Sequence, residues 1–138
     1  MANNENAFQI ALVKEAQRLG GNALRVRHYS LAGIPDLYVK LRGIQSCWIE
    51  CKFIRNKPKP PKLTPLQLAW INKELKAKGN AGWAMCVRVR SGLWDIYVGI
   101  DDEFDTAQNY LCRRQTGESW PIKEITFRII DQSMGRRL

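Results

Sequence analysis

The chain has a single histidine, His28, and its four cysteines, Cys47, Cys51, Cys86 and Cys112, form no CxxC pair. That cysteine usage argues against a zinc site or a disulfide framework and for reduced, buried thiols in the cytosol. No apolar stretch approaches the ~20 residues of a membrane span. The first six residues, Met-Ala-Asn-Asn-Glu-Asn, lack the basic-then-apolar pattern of a signal peptide. A cytoplasmic protein that spans no membrane is therefore expected. Internal repeats are absent, and so is any helix-turn-helix or zinc-finger signature.

Acidic charge is also scarce: 13 Asp and Glu stand against 22 Lys and Arg, a formal net charge of +9 over 138 residues. The length suits one domain with a substantial core. Excess positive charge favours partners that carry phosphate backbones, with an anionic membrane surface as the alternative.

The pattern predicts an α/β fold, a mixed β-sheet flanked by helices in one domain. Asn4 can cap a helix from Glu5 to Leu19, closed by Gly20-Gly21, with Phe8, Leu12, Ala16 and Leu19 on one stripe. Leu24 to His28 alternates as a strand, with Leu24 and Val26 on one face and Arg25 and Arg27 on the other. Leu37, Val39 and Leu41 alternate next, then Cys47, Ile49, Cys51 and Phe53, with Gly43 in the intervening turn. Thr64-Pro65 opens a second helix that Gly79 ends. Ala84 to Arg90 and Trp94 to Val98 form a further hairpin turning at Ser91-Gly92. Phe104, Ala107, Gln108 and Leu111 suggest a third helix, and Glu124 to Ile130 a last strand before a basic tail.

Chemistry concentrates in Gly33-Ile34-Pro35-Asp36 and Ile49-Glu50-Cys51-Lys52. Side chains alternate along a strand, so Glu50 and Lys52 project together, away from Ile49 and Cys51. If the two strands pair as a hairpin, Asp36 joins them at one end. Carboxylates that close repel one another unless a cation lies between them, and Mg²⁺ takes one or two carboxylates plus waters and substrate oxygens. The backbone carbonyl of Cys51 can supply another oxygen. A Glu-x-Lys on a strand is by itself commonly a surface ion pair. The Pro-Asp at hairpin distance is what turns the reading toward a metal-dependent phosphodiesterase. At 100° per residue Glu5 lies within the apolar arc of its helix and faces the sheet, although an acid in a first turn also suits the helix dipole. Gln67 completes a Thr64-x-x-Gln67 capping box.

These landmarks, in this order and spacing from Glu5 to about Arg90, resemble the PD-(D/E)XK nuclease superfamily and, within it, the VRR-NUC family in its stand-alone phage and bacterial form. The resemblance implies a restriction-endonuclease-like fold and Mg²⁺-dependent hydrolysis of DNA, with Mn²⁺ able to substitute, in a bacterial or phage-infected cell. It implies Asp36 and Glu50 as metal ligands and Lys52 as the catalytic lysine. It also maps the family's helical glutamate to Glu5 and its glutamine to Gln67. The stretch from about residue 95 to 138 has no counterpart in it.

Other basic residues extend the picture. Arg25 and Arg27 flank the site as candidate DNA contacts. Lys57, Lys59 and Lys62 lie in a stiff, extended Lys-Pro segment suited either to a phosphate backbone or to a solvated linker. His28 reads as structural rather than as a general base. The five tryptophans read as core, with Trp48, on the strand face of Glu50, the exception. One compact domain without a sequence-reading motif can gain selectivity as a homodimer acting on branched DNA. A four-way (Holliday) junction is the expected substrate, with Trp120 and an Ile125-Phe127-Ile129 alternation as either a dimer surface or a completion of the core. A helicase is a candidate partner that the sequence does not identify. The alternatives are a DNA-binding module of the same fold without catalysis, or a nickase, flap or RNA nuclease.

Overall fold

The first helix, α1 (Glu5–Arg18), begins where the Asn4 side chain accepts a hydrogen bond from the Ala7 N–H at 2.8 Å, satisfying one of the donors a helix start leaves open. In the computed structural model, which describes residues 3–26 and 33–137, six strands follow in a single sheet: β1 (Asn22–Arg25), β2 (Leu37–Lys40), β3 (Cys47–Arg55), β4 (Ala81–Arg90), β5 (Leu93–Gly99) and β6 (Tyr110–Gln115). Their order in space is their order in sequence. Every neighbouring pair is antiparallel except β3 and β4, which are parallel. A parallel pair needs a crossover, here supplied by α2 (Pro65–Lys76).

Three further expectations from the sequence hold. Gly43 and Gly92 take left-handed φ of 72° and 78° in the two hairpin turns. Thr64 and Gln67 form the reciprocal capping box of α2, with proline in its first turn. Phe8, Leu12 and Ala16 are fully buried along α1, whereas Leu19, the fourth residue of that stripe, is its C-cap and exposed. The three buried residues pack with Leu37, Val39, Ile49 and Cys51 of the sheet in one hydrophobic core.

The last third of the chain departs from expectation. Residues 124–130 are not a strand but part of α4 (Ile122–Arg137). Ile122, Ile125 and Ile129 are buried at helical spacing, and Ile129 comes within 3.2 Å of where a Cβ on Gly82 would stand. Ile125 and Ile129 are thus core, which removes the expected strand-like dimer surface, and only Phe127 of that trio is exposed, at 43%. A β-branched run mimics a strand when its spacing also fits a helix, and burial under the sheet decides the outcome. The third helix, α3, is a single turn over Thr106–Asn109, and Leu111 belongs to β6, an edge strand. On β1 the inward residue is Ala23, whereas Leu24 is exposed.

Helices cover both faces. Against β4 and β5, α4 lies on the side of Ile49 and Gly82. On the opposite face, Trp48 of β3 meets Trp70 of α2 edge-on, with ring centroids 5.0 Å apart. Trp48 also packs on Tyr38 at 4.7 Å, so it is engaged within the protein rather than offered as a stacking platform.

Candidate metal centre

The β2–β3 register places Leu37 opposite Ile49 and Tyr38 opposite Trp48, so Asp36, one residue before β2, stands at the open end beside Glu50. Its backbone is fixed by the Val26 N–H, which donates to the Asp36 carbonyl at 2.8 Å. Its side chain accepts from the Cys51 N–H at 2.9 Å through Oδ2. Gly33, in the turn before it, has φ +90°, and a Cβ there would sit 2.5 Å from the Leu66 carbonyl oxygen. Only glycine allows the Asp36 loop to close against the first turn of α2.

Glu5 arrives from the first turn of α1. Ligand oxygens of Glu5, Asp36 and Glu50 all lie within 4.8 Å of one another. Lys52 Nζ stands 3.5 Å from Glu50 Oε2. Gln67 joins the group from α2: its Nε2 donates to Glu50 Oε2 at 3.0 Å, and its Oε1 accepts from Lys52 Nζ at 3.2 Å. The same Oε1 accepts from the Thr64 N–H at 2.9 Å, so one amide both caps the helix and ties it to the sheet.

Electrostatics follow from this crowding. Burial, then the Asp36 charge, pushes the Glu50 carboxyl from its ordinary range up to about 8, with Lys52 opposing. The Glu5 carboxyl is raised by the same two causes in the same order. Like charges this close favour a shared proton or a cation. The donor set is entirely hard oxygen with a positive charge alongside, which fits a divalent cation such as Mg²⁺ or Mn²⁺.

The expected DNA contacts divide. Lys59 and Lys62 line a cavity of about 280 Å³ with Glu5 and Lys52. Lys57 is exposed and does not line it. Arg25 lies on the α1 side of β1, where its guanidinium donates to Gln9 Oε1 at 3.1 and 3.0 Å and to Asn6. Arg27 and His28 lie outside the described residues. Glu15, at the edge of the apolar arc, pairs with Arg18 rather than with the site. The Gly33 contact is not foreseen from the sequence. Gln67 makes the cap its motif predicts and also reaches Glu50 and Lys52, where the resemblance maps the family's glutamine.

Among the described residues no helix is long and apolar enough to cross a membrane. No family model matches the chain, and comparison with curated proteins also finds no match. Among solved structures the chain is similar to Hjc of Archaeoglobus fulgidus, a Holliday junction resolvase from an archaeal hyperthermophile. The TM-score is 0.48 and the identity 19%, over 67% of this chain and 74% of that one.

Proposed function

We propose that this chain is a divalent-metal-dependent endonuclease of the PD-(D/E)XK type, on a restriction-endonuclease-like fold, that hydrolyses phosphodiester bonds in DNA. The observation that carries the reading is the convergence of three carboxylates within 4.8 Å, with a lysine 3.5 Å from one of them. Asp36 and Glu50 are the metal ligands, Glu5 a third, and the Cys51 carbonyl a fourth. These residues would hold Mg²⁺ or Mn²⁺, which would supply polarisation of a phosphoryl oxygen and activation of a water. Lys52 orients the attacking water and offsets the charge that builds on the phosphoryl oxygens. Gln67 holds Glu50 and Lys52 in register through its two amide atoms. The net charge of +9 supports a polyanionic substrate.

The substrate we propose is branched DNA, a four-way junction in the first instance, cut by a homodimer. One carboxylate cluster among the described residues, with no sequence-reading motif, favours pairing of two copies as the economical route to structural selectivity. Purified protein is tested in Mg²⁺ and Mn²⁺ against duplex, flap, single-stranded, four-way-junction and RNA substrates. No cleavage with either metal, with DNA still bound, would leave a binding module instead. Equal cutting of junction and linear duplex, with only monomer at micromolar concentration in sedimentation, would overturn the junction and dimer reading.

A further inference from the structure

Between β3 and α2 the chain runs Asn56-Lys57-Pro58-Lys59-Pro60-Pro61-Lys62-Leu63, without regular secondary structure. It is anchored at both ends. The Asn56 N–H donates to the Arg88 carbonyl at 2.8 Å, with Asn56 in a left-handed conformation of φ 77°. At the far end Thr64 begins the capping box. Pro61 is buried between, and Leu63 packs on the apolar cluster of Trp83 and Met85. Proline-rich chain favours the polyproline II helix, which has three residues per turn. Residues three apart then share an edge. Lys59 and Lys62 have that spacing, and the whole run Lys59-Pro60-Pro61-Lys62 lines the cavity with Glu5 and Lys52. Lys57, two residues before the run, is absent from the lining.

We infer that this strap builds a phosphate subsite beside the carboxylate cluster, in which Lys59 and Lys62 hold the DNA backbone phosphate flanking the one that is cut. Three lysines, Lys52, Lys59 and Lys62, line a cavity of about 280 Å³ together with Phe53, Ile54 and Met85. That volume is slightly below the ~300 Å³ at which small-molecule pockets begin, so it takes one backbone unit and not a base pair. The strap backbone is anchored at both ends before substrate arrives, so ordering on binding is confined to the lysine side chains. The inference rests on the nuclease reading for the identity of the neighbouring phosphate.

The test uses DNA carrying one neutral methylphosphonate at successive positions around the cut. Binding is followed by fluorescence anisotropy in Ca²⁺, and cleavage separately in Mg²⁺. For the natural sequence, one flanking position should weaken binding roughly tenfold, the loss expected when a charge-assisted contact goes. The double variant Lys59→Ala with Lys62→Ala should bind about tenfold more weakly and be indifferent to that same methylphosphonate. Its salt slope should fall by roughly 0.9, one phosphate. Lys57→Ala should behave as the natural sequence does. A DNA carrying a 5′-terminal phosphate in place of the internal one serves as the control for end binding. Persistent sensitivity to the methylphosphonate in the double variant overturns the subsite, as does an equal loss in Lys57→Ala or a preference for the terminal phosphate. Loss of cleavage with the binding pattern intact instead refutes the nuclease reading and leaves the subsite standing.

Discussion

Replacing Glu50 with glutamine separates the electrostatics of the carboxylate cluster from its chemistry. Without a cation, burial and the Asp36 charge hold the Glu50 carboxyl up to about 8, against 4.5 for the free group. Between those two values the folded protein keeps a proton that the unfolded chain has lost. Stability is therefore fullest below about pH 4.5 and declines as pH rises toward 8. A carboxyl pKa that differs by one between the folded and unfolded chain is worth about 1.4 kcal/mol. The decline thus amounts to a few kcal/mol, and the raised Glu5 carboxyl adds in the same direction. Glu50→Gln keeps an oxygen for the Gln67 amide donor and removes the titration. In urea unfolding followed by tryptophan fluorescence, with EDTA present, the natural protein should lose midpoint steadily from pH 5 to 9. The variant should stay closer to level and be the more stable of the two at pH 9. Adding Mn²⁺ in excess of the EDTA at pH 9 should restore the natural protein, because the cation neutralises carboxylates that have by then lost their protons, and should do little for the variant. Parallel pH profiles for the two proteins would refute the account of a carboxylate held in its neutral form by its neighbours.

Asp36→Ala, Glu50→Ala and Lys52→Ala should each reduce cleavage at least about 100-fold while circular dichroism stays unchanged; full activity in Lys52→Ala would remove the lysine from the mechanism. Thr64→Ala and Gln67→Ala should both lose about 1 kcal/mol in chemical denaturation through the cap. Only Gln67→Ala should also lose cleavage, because it alone touches Glu50 and Lys52. Gly33→Ala, which forces a Cβ to within 2.5 Å of the Leu66 carbonyl at a φ of +90°, should lower the melting temperature through at least about 1 kcal/mol of strain. Ile129→Ala should cost about 2–5 kcal/mol in denaturant if α4 is core, and a loss under about 0.5 kcal/mol would contradict its placement.

Legibility in the sequence followed the distance over which each signal acts. The β2–β3 hairpin was readable because alternation and a glycine turn are local, and with it came the meeting of Asp36, Glu50 and Lys52. Helical phase turned Glu5 toward the sheet, while the helix dipole explained an acid there equally well and only the resemblance tipped the balance. The nature of α4 was not readable: Ile125, Phe127 and Ile129 alternate as a strand would, while Ile122, Ile125 and Ile129 recur as a helix would, and only the face of the sheet chooses between them. β6 shows the polar character of an edge in Tyr110, Arg113, Arg114 and Gln115, and its pairing with β5 through Asp95 and Arg113 is a long-range fact. Gln67 combines both ranges in one residue, its cap readable from the local motif and its site contact only through the resemblance. Its capping partner lies three positions away and its other partners fifteen and seventeen.

The single parallel pair in the sheet bears on when the carboxylate cluster acquires its character during synthesis. Glu5, Asp36 and Glu50 all precede residue 51, and hairpin contacts among β1, β2 and β3 are short in sequence. Glu50 is nonetheless enclosed by what comes later, Gln67 from α2 and Trp83, its register partner on β4. A parallel ladder of this kind closes only after its crossover has formed, and non-local pairings of that sort are the slow ones. A nascent chain that has emerged only through β3 holds its acids in water, where they are separately ionised and lack the Gln67 link. The arrangement described for the finished protein becomes available only as β4 docks, which makes the crossover a timer for the site.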